Sequence, residues 1–239
     1  MPVYYSDAVS TLLLDIEGTT TPVSYVFEVL FPFARDHVED FLETQGQEVD
    51  VQGDLALLRQ EYQAESDPVP PWEGDTPAAA VPYIHHLIAI DRKSTGLKSL
   101  QGKIWNAGYQ ASKLRSELFP DVKPAFERWQ AAGKAIYIFS SGSVQAQKLI
   151  FRYSQDGDLT PFISGYFDTT TGPKRETDSY HKIAEKIGTS PSQILFISDV
   201  VAELRPAREA GLETLFSSRP GNHTDNSEGF TKIENFDPV

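Results

Sequence analysis

The 239-residue chain contains no cysteine. Disulfides, thiolate metal sites and cysteine nucleophiles are therefore excluded, and composition offers no argument for secretion. No apolar run approaches the ~20 residues of a membrane-spanning helix. The opening "MPVYYSDAVS" has no basic segment leading into a long apolar core, so it does not read as a signal peptide. Positive charge is scarce too. Asp and Glu number 34 against 21 Lys and Arg, for a formal net charge of −13, and no run of Lys and Arg forms a basic patch. Such a chain repels nucleic acid and anionic membranes. It also repels an anionic small substrate at long range, so a ligand of that kind needs a local cation or metal. The expectation is a soluble, cytoplasmic protein (the nucleus stays open if the source is eukaryotic) with no nucleic-acid and no membrane partner.

What is present is ordinary globular material: 40% hydrophobic and 11% aromatic residues, enough for a core. Three short apolar runs end on polar residues: "TLLLD" (11–15), "KAIYIFSS" (134–141) and "QILFISD" (193–199). Unalternated runs of this length suit strands buried on both faces of a parallel sheet. Helical patterns at 123–133, 143–154 and 175–188 separate the later runs. A further helix is expected at "RPAREAG" (205–211), with Pro206 in its first turn and Gly211 past its end, and a strand at "LETLFSS" (212–218). The alternation predicts an α/β fold, a doubly wound parallel sheet. Residues 22–119 read instead as helices joined by turns, with a Pro-rich loop at 64–82. The expected organisation is therefore a core of 1–21 and 120–239 with a helical cap, 22–119, inserted after the first strand.

Ligands of open parallel sheets bind beyond the carboxyl ends of the strands, where Asp15, Ser140, Ser141 and Asp199 fall. A buried strand tolerates an acid at that end if it faces a cleft holding a cation. Asp15 as a nucleophile needs a metal, a fixed cation and donors for substrate oxygens. Asp199 is a second carboxylate suited to Mg²⁺, an ion that takes few protein carboxylates and fills its shell with water and substrate. Ser140, Ser141 and Gly142 open a helix and offer hydroxyl and amide donors. Lys174, in "TTTGPKRETD", supplies a cation, with Arg175 as its competitor.

In order, "DIEGTT", "IFSSGS", "GPKRE" and "FISDVVAE" resemble the four motifs of the haloacid-dehalogenase-like (HAD) phosphatases. "LLLDIEGTTTPVSYVFEVLFPFA", "LKSLQGKIW" and "SSGSVQAQKLIF" are similar to the enolase-phosphatase branch of that family, over nearly the whole chain. Most relatives carry Asp where this chain has Glu17. The resemblance implies one Mg²⁺ per monomer and a phosphorylated diketone substrate, 2,3-diketo-5-methylthiopentyl-1-phosphate of methionine salvage. Enolisation would be followed by phosphate removal to an acireductone. It also implies that Asp15 and Asp199 ligate Mg²⁺, that Glu17 adds its backbone carbonyl and acts as general acid/base, and that Ser140, Ser141 and Lys174 hold phosphate. Glu17 is one candidate for the enolisation base. Glu203 is either a supporting acid of the site or a carboxylate favoured by a helix dipole. Adjacent His85 and His86 cannot share a helix face and read as packing or surface residues. Lys98, Lys103 and Trp105 either close over substrate or pack their helix. A monomer is the expectation for a capped chain of this size. The rivals are a metal-free dehalogenase, a plain small-metabolite phosphatase and a non-catalytic phosphate-binding module.

Overall fold

The computed structural model describes residues 4–92, 94–223 and 226–239. The chain divides into two compact units, residues 1–26 with 115–239, and residues 27–114.

The first unit is built on a six-stranded, all-parallel sheet of order β3-β2-β1-β4-β5-β6. Its strands are β1 (Thr11–Leu14), β2 (Ala135–Phe139), β3 (Gly165–Phe167), β4 (Ile194–Ser198), β5 (Glu213–Ser217) and β6 (Lys232–Ile233). Leu12, Leu13 and Leu14 have no solvent exposure, nor do Ile194 to Ile197. Both faces of the central strands are thus covered, which explains their unbroken apolar runs. On one face Leu13, Phe139, Phe196 and Phe216 pack against α7 (Thr177–Ile187) and α8 (Val201–Glu209). Elsewhere in the unit Phe126 and Trp129 of α5 (Val122–Ala131) form an aromatic cluster with Phe151 of α6 (Val144–Arg152) and Phe236.

From β1 the chain winds through β2 to β3 in one direction, then through β4 to β6 in the other. The winding reverses between β1 and β4, so a crevice opens at their carboxyl ends. Register places Leu14 level with Ile138 of β2 and Ile197 of β4. Asp15, Phe139 and Ser198 therefore follow in one row.

One helix differs from its sequence reading. The helix expected at 205–211 begins instead at Val201, directly after β4, so Pro206 lies in its interior and not in its first turn. Proline there removes one N–H donor from the ladder. The short strands β3 and β6 were not expected.

The second unit is helical: α1 (Phe31–Gln45), α2 (Val49–Ala64), α3 (Val81–Ala89) and α4 (Thr95–Gln110). Its buried residues include Val38, Leu58, Tyr83, Leu87 and Leu100. Lys103 forms an ion pair with Asp54 at short range. Trp105 donates its indole N–H to the Leu30 carbonyl at 2.8 Å and stacks on Phe31, so it packs its helix. His85 bonds the Arg35 carbonyl at 2.9 Å. Among the described residues no helix is long and apolar enough to cross a membrane.

Candidate active site

The turn after β1 is folded by its own polar groups. The Ile16 carbonyl accepts from the Thr19, Thr20 and Thr21 amides, and the Gly18 amide donates to the Thr21 carbonyl at 2.8 Å. The Thr20 hydroxyl donates back to the carbonyls of Asp15 and Ile16. Gly18 has φ +67°, and a Cβ there would lie 2.2 Å from Asp199 Oδ2. Both the backbone conformation and the proximity of Asp199 require glycine at this position.

Asp15 is buried at the head of this turn. Its Oδ1 accepts from the Ile16 amide at 2.8 Å and pairs with Lys174 Nζ at 2.7 Å. Lys174, which precedes α7, is itself buried and pairs with Glu203 Oε2 at 2.6 Å. The Ser198 hydroxyl lies 3.1 Å from both Asp15 Oδ2 and Glu203 Oε2. It has one proton to share between them. The Tyr180 hydroxyl donates to the Lys174 carbonyl at 2.7 Å and fixes the loop that carries the lysine.

Two acids thus meet one cation, and a third, Asp199, lies near enough to feel the charges of Asp15 and Lys174. Burial lowers the Lys174 pKa, but the Asp15 and Glu203 carboxylates outweigh it and hold the ammonium well above its ordinary range. Burial also disfavours the charged form of Asp199. With the Asp15 charge beside it, its carboxyl is pushed up to about 8, Lys174 opposing. Glu203 is raised to about 7 by burial, again against Lys174. With its acids ionised this strand-end cluster would hold more negative charge than one lysine neutralises, and the raised carboxyls reflect that.

Glu17 sits two residues beyond Asp15, half-buried, in a bridge with Thr21. Ser140 is buried at the end of β2 and Ser141 is exposed. Neither caps α6: Ser143 does, accepting from the Ala146 amide at 3.2 Å. Ser140 Oγ accepts from the Gly142 amide at 3.2 Å, which leaves its proton for another acceptor. Gln147 braces this loop by donating to the Gly142 and Phe167 carbonyls, both at 2.8 Å.

The structure therefore brings Asp15, Lys174 and Asp199 together and adds Glu203 to them. Ser198, Gln147, Tyr180 and Asn222 were missed by sequence reading. Ser198 alone carried a signal, as the polar residue that closes "LFIS" beside Asp199. Among the described residues no three His, Asp or Glu side chains form a metal-binding cluster. Two carboxylates, Asp15 and Asp199, share the crevice.

A six-stranded parallel sheet with helices on both faces and acids at its switch point defines a class, and the comparisons agree with it. Residues 9–211 match the haloacid dehalogenase-like hydrolase model. The chain belongs to that family and, within it, to the enolase-phosphatases E1. It is 61% identical to enolase-phosphatase E1 of Synechococcus elongatus over 97% of this chain and 98% of that protein. Identity to the Pseudomonas fluorescens enzyme of the same name is 46%, over 96% of each. The crystal structure of the UTR4 protein of Saccharomyces cerevisiae superposes with a TM-score of 0.79 at 35% identity, over 97% of this chain and all of that one.

Proposed function

We propose that the chain is a Mg²⁺-dependent enolase-phosphatase that converts 2,3-diketo-5-methylthiopentyl-1-phosphate to an acireductone and inorganic phosphate. The observation that carries this reading is the buried Asp15–Lys174–Glu203 cluster with Asp199 beside it at the sheet's switch point. The donor set suits Mg²⁺. Oxygen ligands and few carboxylates are what this ion takes, and the excess negative charge calls for a cation. Asp15 and Asp199 would hold it through their side chains, and Glu17 through its backbone carbonyl. When bound, Mg²⁺ supplies Lewis-acid stabilisation to oxygen charge that develops on the substrate.

The chain's own residues do the rest. Lys174 and Ser140, with Ser141 at the loop's exposed edge, hold and neutralise the phosphate. Glu17 is the proposed base that removes the proton beside the ketone during enolisation, while the ketone oxygen takes a proton from solvent and Glu17 keeps the one it has gained. In the second step an Asp15 carboxylate oxygen bonds to phosphorus as the phosphorus–oxygen bond to the enediol breaks. Glu17 protonates the departing oxygen. It then takes a proton from the water that attacks phosphorus, releasing phosphate and restoring Asp15. Such a transfer rests on in-line positioning and charge stabilisation. Lys174, held by two carboxylates, is fixed before substrate arrives. The helical unit, residues 27–114, is the candidate for the substrate-selecting cap.

The test mixes purified protein with the diketo phosphate and Mg²⁺ and follows enol absorbance and free phosphate together. Enol appearing before phosphate, with both signals lost under chelation, is the expected result. Phosphate release without an enol phase would leave a plain phosphatase.

A further inference from the structure

The segment that ends β5 and follows it, "SSRPGN" (217–222), has no part in the chemistry above, yet it grips the turn behind Asp15. The Ser217 hydroxyl and the Asn222 Nδ2 each donate to the Gly18 carbonyl at 3.0 Å. Arg219 Nε donates to the Thr19 carbonyl at 3.1 Å. Arg219 is in turn anchored on Asp121 at 2.9 Å and lies between the Phe119 and Phe236 rings. These bonds pull the Gly18 and Thr19 carbonyls toward the sheet's β5 side.

Asn222 carries a second feature. Its Nδ2 donates to two carbonyls, Gly18 and Ser217, and this fixes which way the amide faces, because the other orientation would set oxygen against oxygen. The remaining atom, Oδ1, is shut from solvent and has no hydrogen-bond partner among the described residues. It shares its place with Asp199: a Cβ built on Gly18 would lie 2.9 Å from Asn222 Oδ1 and 2.2 Å from Asp199 Oδ2. A buried carbonyl oxygen without a donor is costly, and Asp199 offers none once it is ionised to hold a cation. A water bound to a divalent cation is a strong donor of the kind this oxygen lacks.

We infer that Asn222 is a positioning residue for the metal, its Oδ1 accepting a hydrogen bond from a water on the cation that Asp15 and Asp199 hold. The inference rests on the metal reading above. It gives the C-terminal segment two tasks through one side chain, bracing the Gly18 turn and completing the shell around the bound ion. Partners of this outer kind are worth about 10- to 100-fold in metal affinity.

Calorimetric Mg²⁺ titration of the full chain, wild type against Asn222→Ala and Ser217→Ala, tests it. Ser217→Ala removes one bond to Gly18 but leaves Oδ1 in place. Asn222→Ala should weaken Mg²⁺ about tenfold or more, with the metal-free melting temperature close to that of Ser217→Ala, and Ser217→Ala should weaken it much less. Turnover of Asn222→Ala should recover as Mg²⁺ is raised to saturation, which a misfolded turn would not allow. Equal affinity in wild type and Asn222→Ala would overturn the inference alone, as would equal weakening in both variants. A wild type that binds no Mg²⁺ would overturn the metal reading and this inference with it.

Discussion

Both units bury charge, and they do so differently. In the helical unit Lys103 meets one buried anion, Asp54, and at 3.7 Å the exposed Asp50, with the Ser99 hydroxyl also 3.0 Å from the ammonium. In the sheet unit Lys174 meets Asp15 and Glu203, and Asp199 stands beside them. The first arrangement is closed: its one buried anion is matched by the lysine, and the second acid, Asp50, stands in water. The second is left negative at a crevice, and burying such charge costs free energy unless something compensates it. A neutral buried pair is sufficient to hold helices together. An uncompensated one at a strand end marks the place where ligand and cation supply the missing charge.

The largest effect expected from breaking this contrast is on chemistry. Asp15→Asn keeps the shape of the side chain but removes its nucleophilic oxygen, and phosphate release should fall about 10⁴-fold or more, read by a free-phosphate assay. Should this variant still form enol, Asp15 serves only the second step. Lys174→Met should abolish turnover as well, and it leaves buried Asp15 and Glu203 without their cation. Loss of such a pair destabilises by about 3–5 kcal/mol, measured by urea unfolding of metal-free protein.

Lys103→Met sharpens the comparison from the other side. It should cost up to about 3 kcal/mol of stability, since the pair is only partly buried, while leaving the Mg²⁺ affinity unchanged. A loss of Mg²⁺ binding in folded Lys103→Met protein would erase the distinction between the two clusters.

A further effect is the dependence of stability on pH. Asp199 titrates near 8 in the folded protein against an ordinary value of 3.8. The folded state therefore keeps a proton that the unfolded chain releases. Its contribution is complete below about pH 4 and is lost as pH rises through about 8. Glu203, raised to about 7, acts in the same direction. Melting temperatures taken in chelator should fall between pH 5 and 8, and Asp199→Asn should flatten that slope and raise the melting temperature at pH 8. Equal slopes in the two proteins would show that Asp199 ionises freely.

The site's principal acids were legible because each ends an unbroken apolar run. Leu12 to Leu14 and Ile194 to Ile197 signal doubly covered strands, and in a parallel sheet all carboxyl ends share one edge. Lys174 was reached through its turn-like context and the motif resemblance. The parts that were not legible depend on long-range pairing. Ser198 meets Asp15 across 183 residues of sequence and Asn222 meets Gly18 across 204, so no local pattern marks either pairing. Strands β3 and β6, with three and two residues, are too short to show a period. The start of α8 was misplaced because Pro206 looked like a first-turn proline, whereas it lies inside the helix. Ser140 and Ser141 lie a few residues too early to cap α6, a task that falls to Ser143.

On the proposed mechanism Asp15 becomes phosphorylated during turnover. Protein quenched in acid while processing the diketo phosphate, then reduced with borohydride, converts an aspartyl phosphate to homoserine at the modified position. Peptide mass spectrometry should find homoserine at residue 15 in wild type and none in Asp15→Asn. An unmodified Asp15 during active phosphate release, or homoserine at Asp199 instead, would contradict the account.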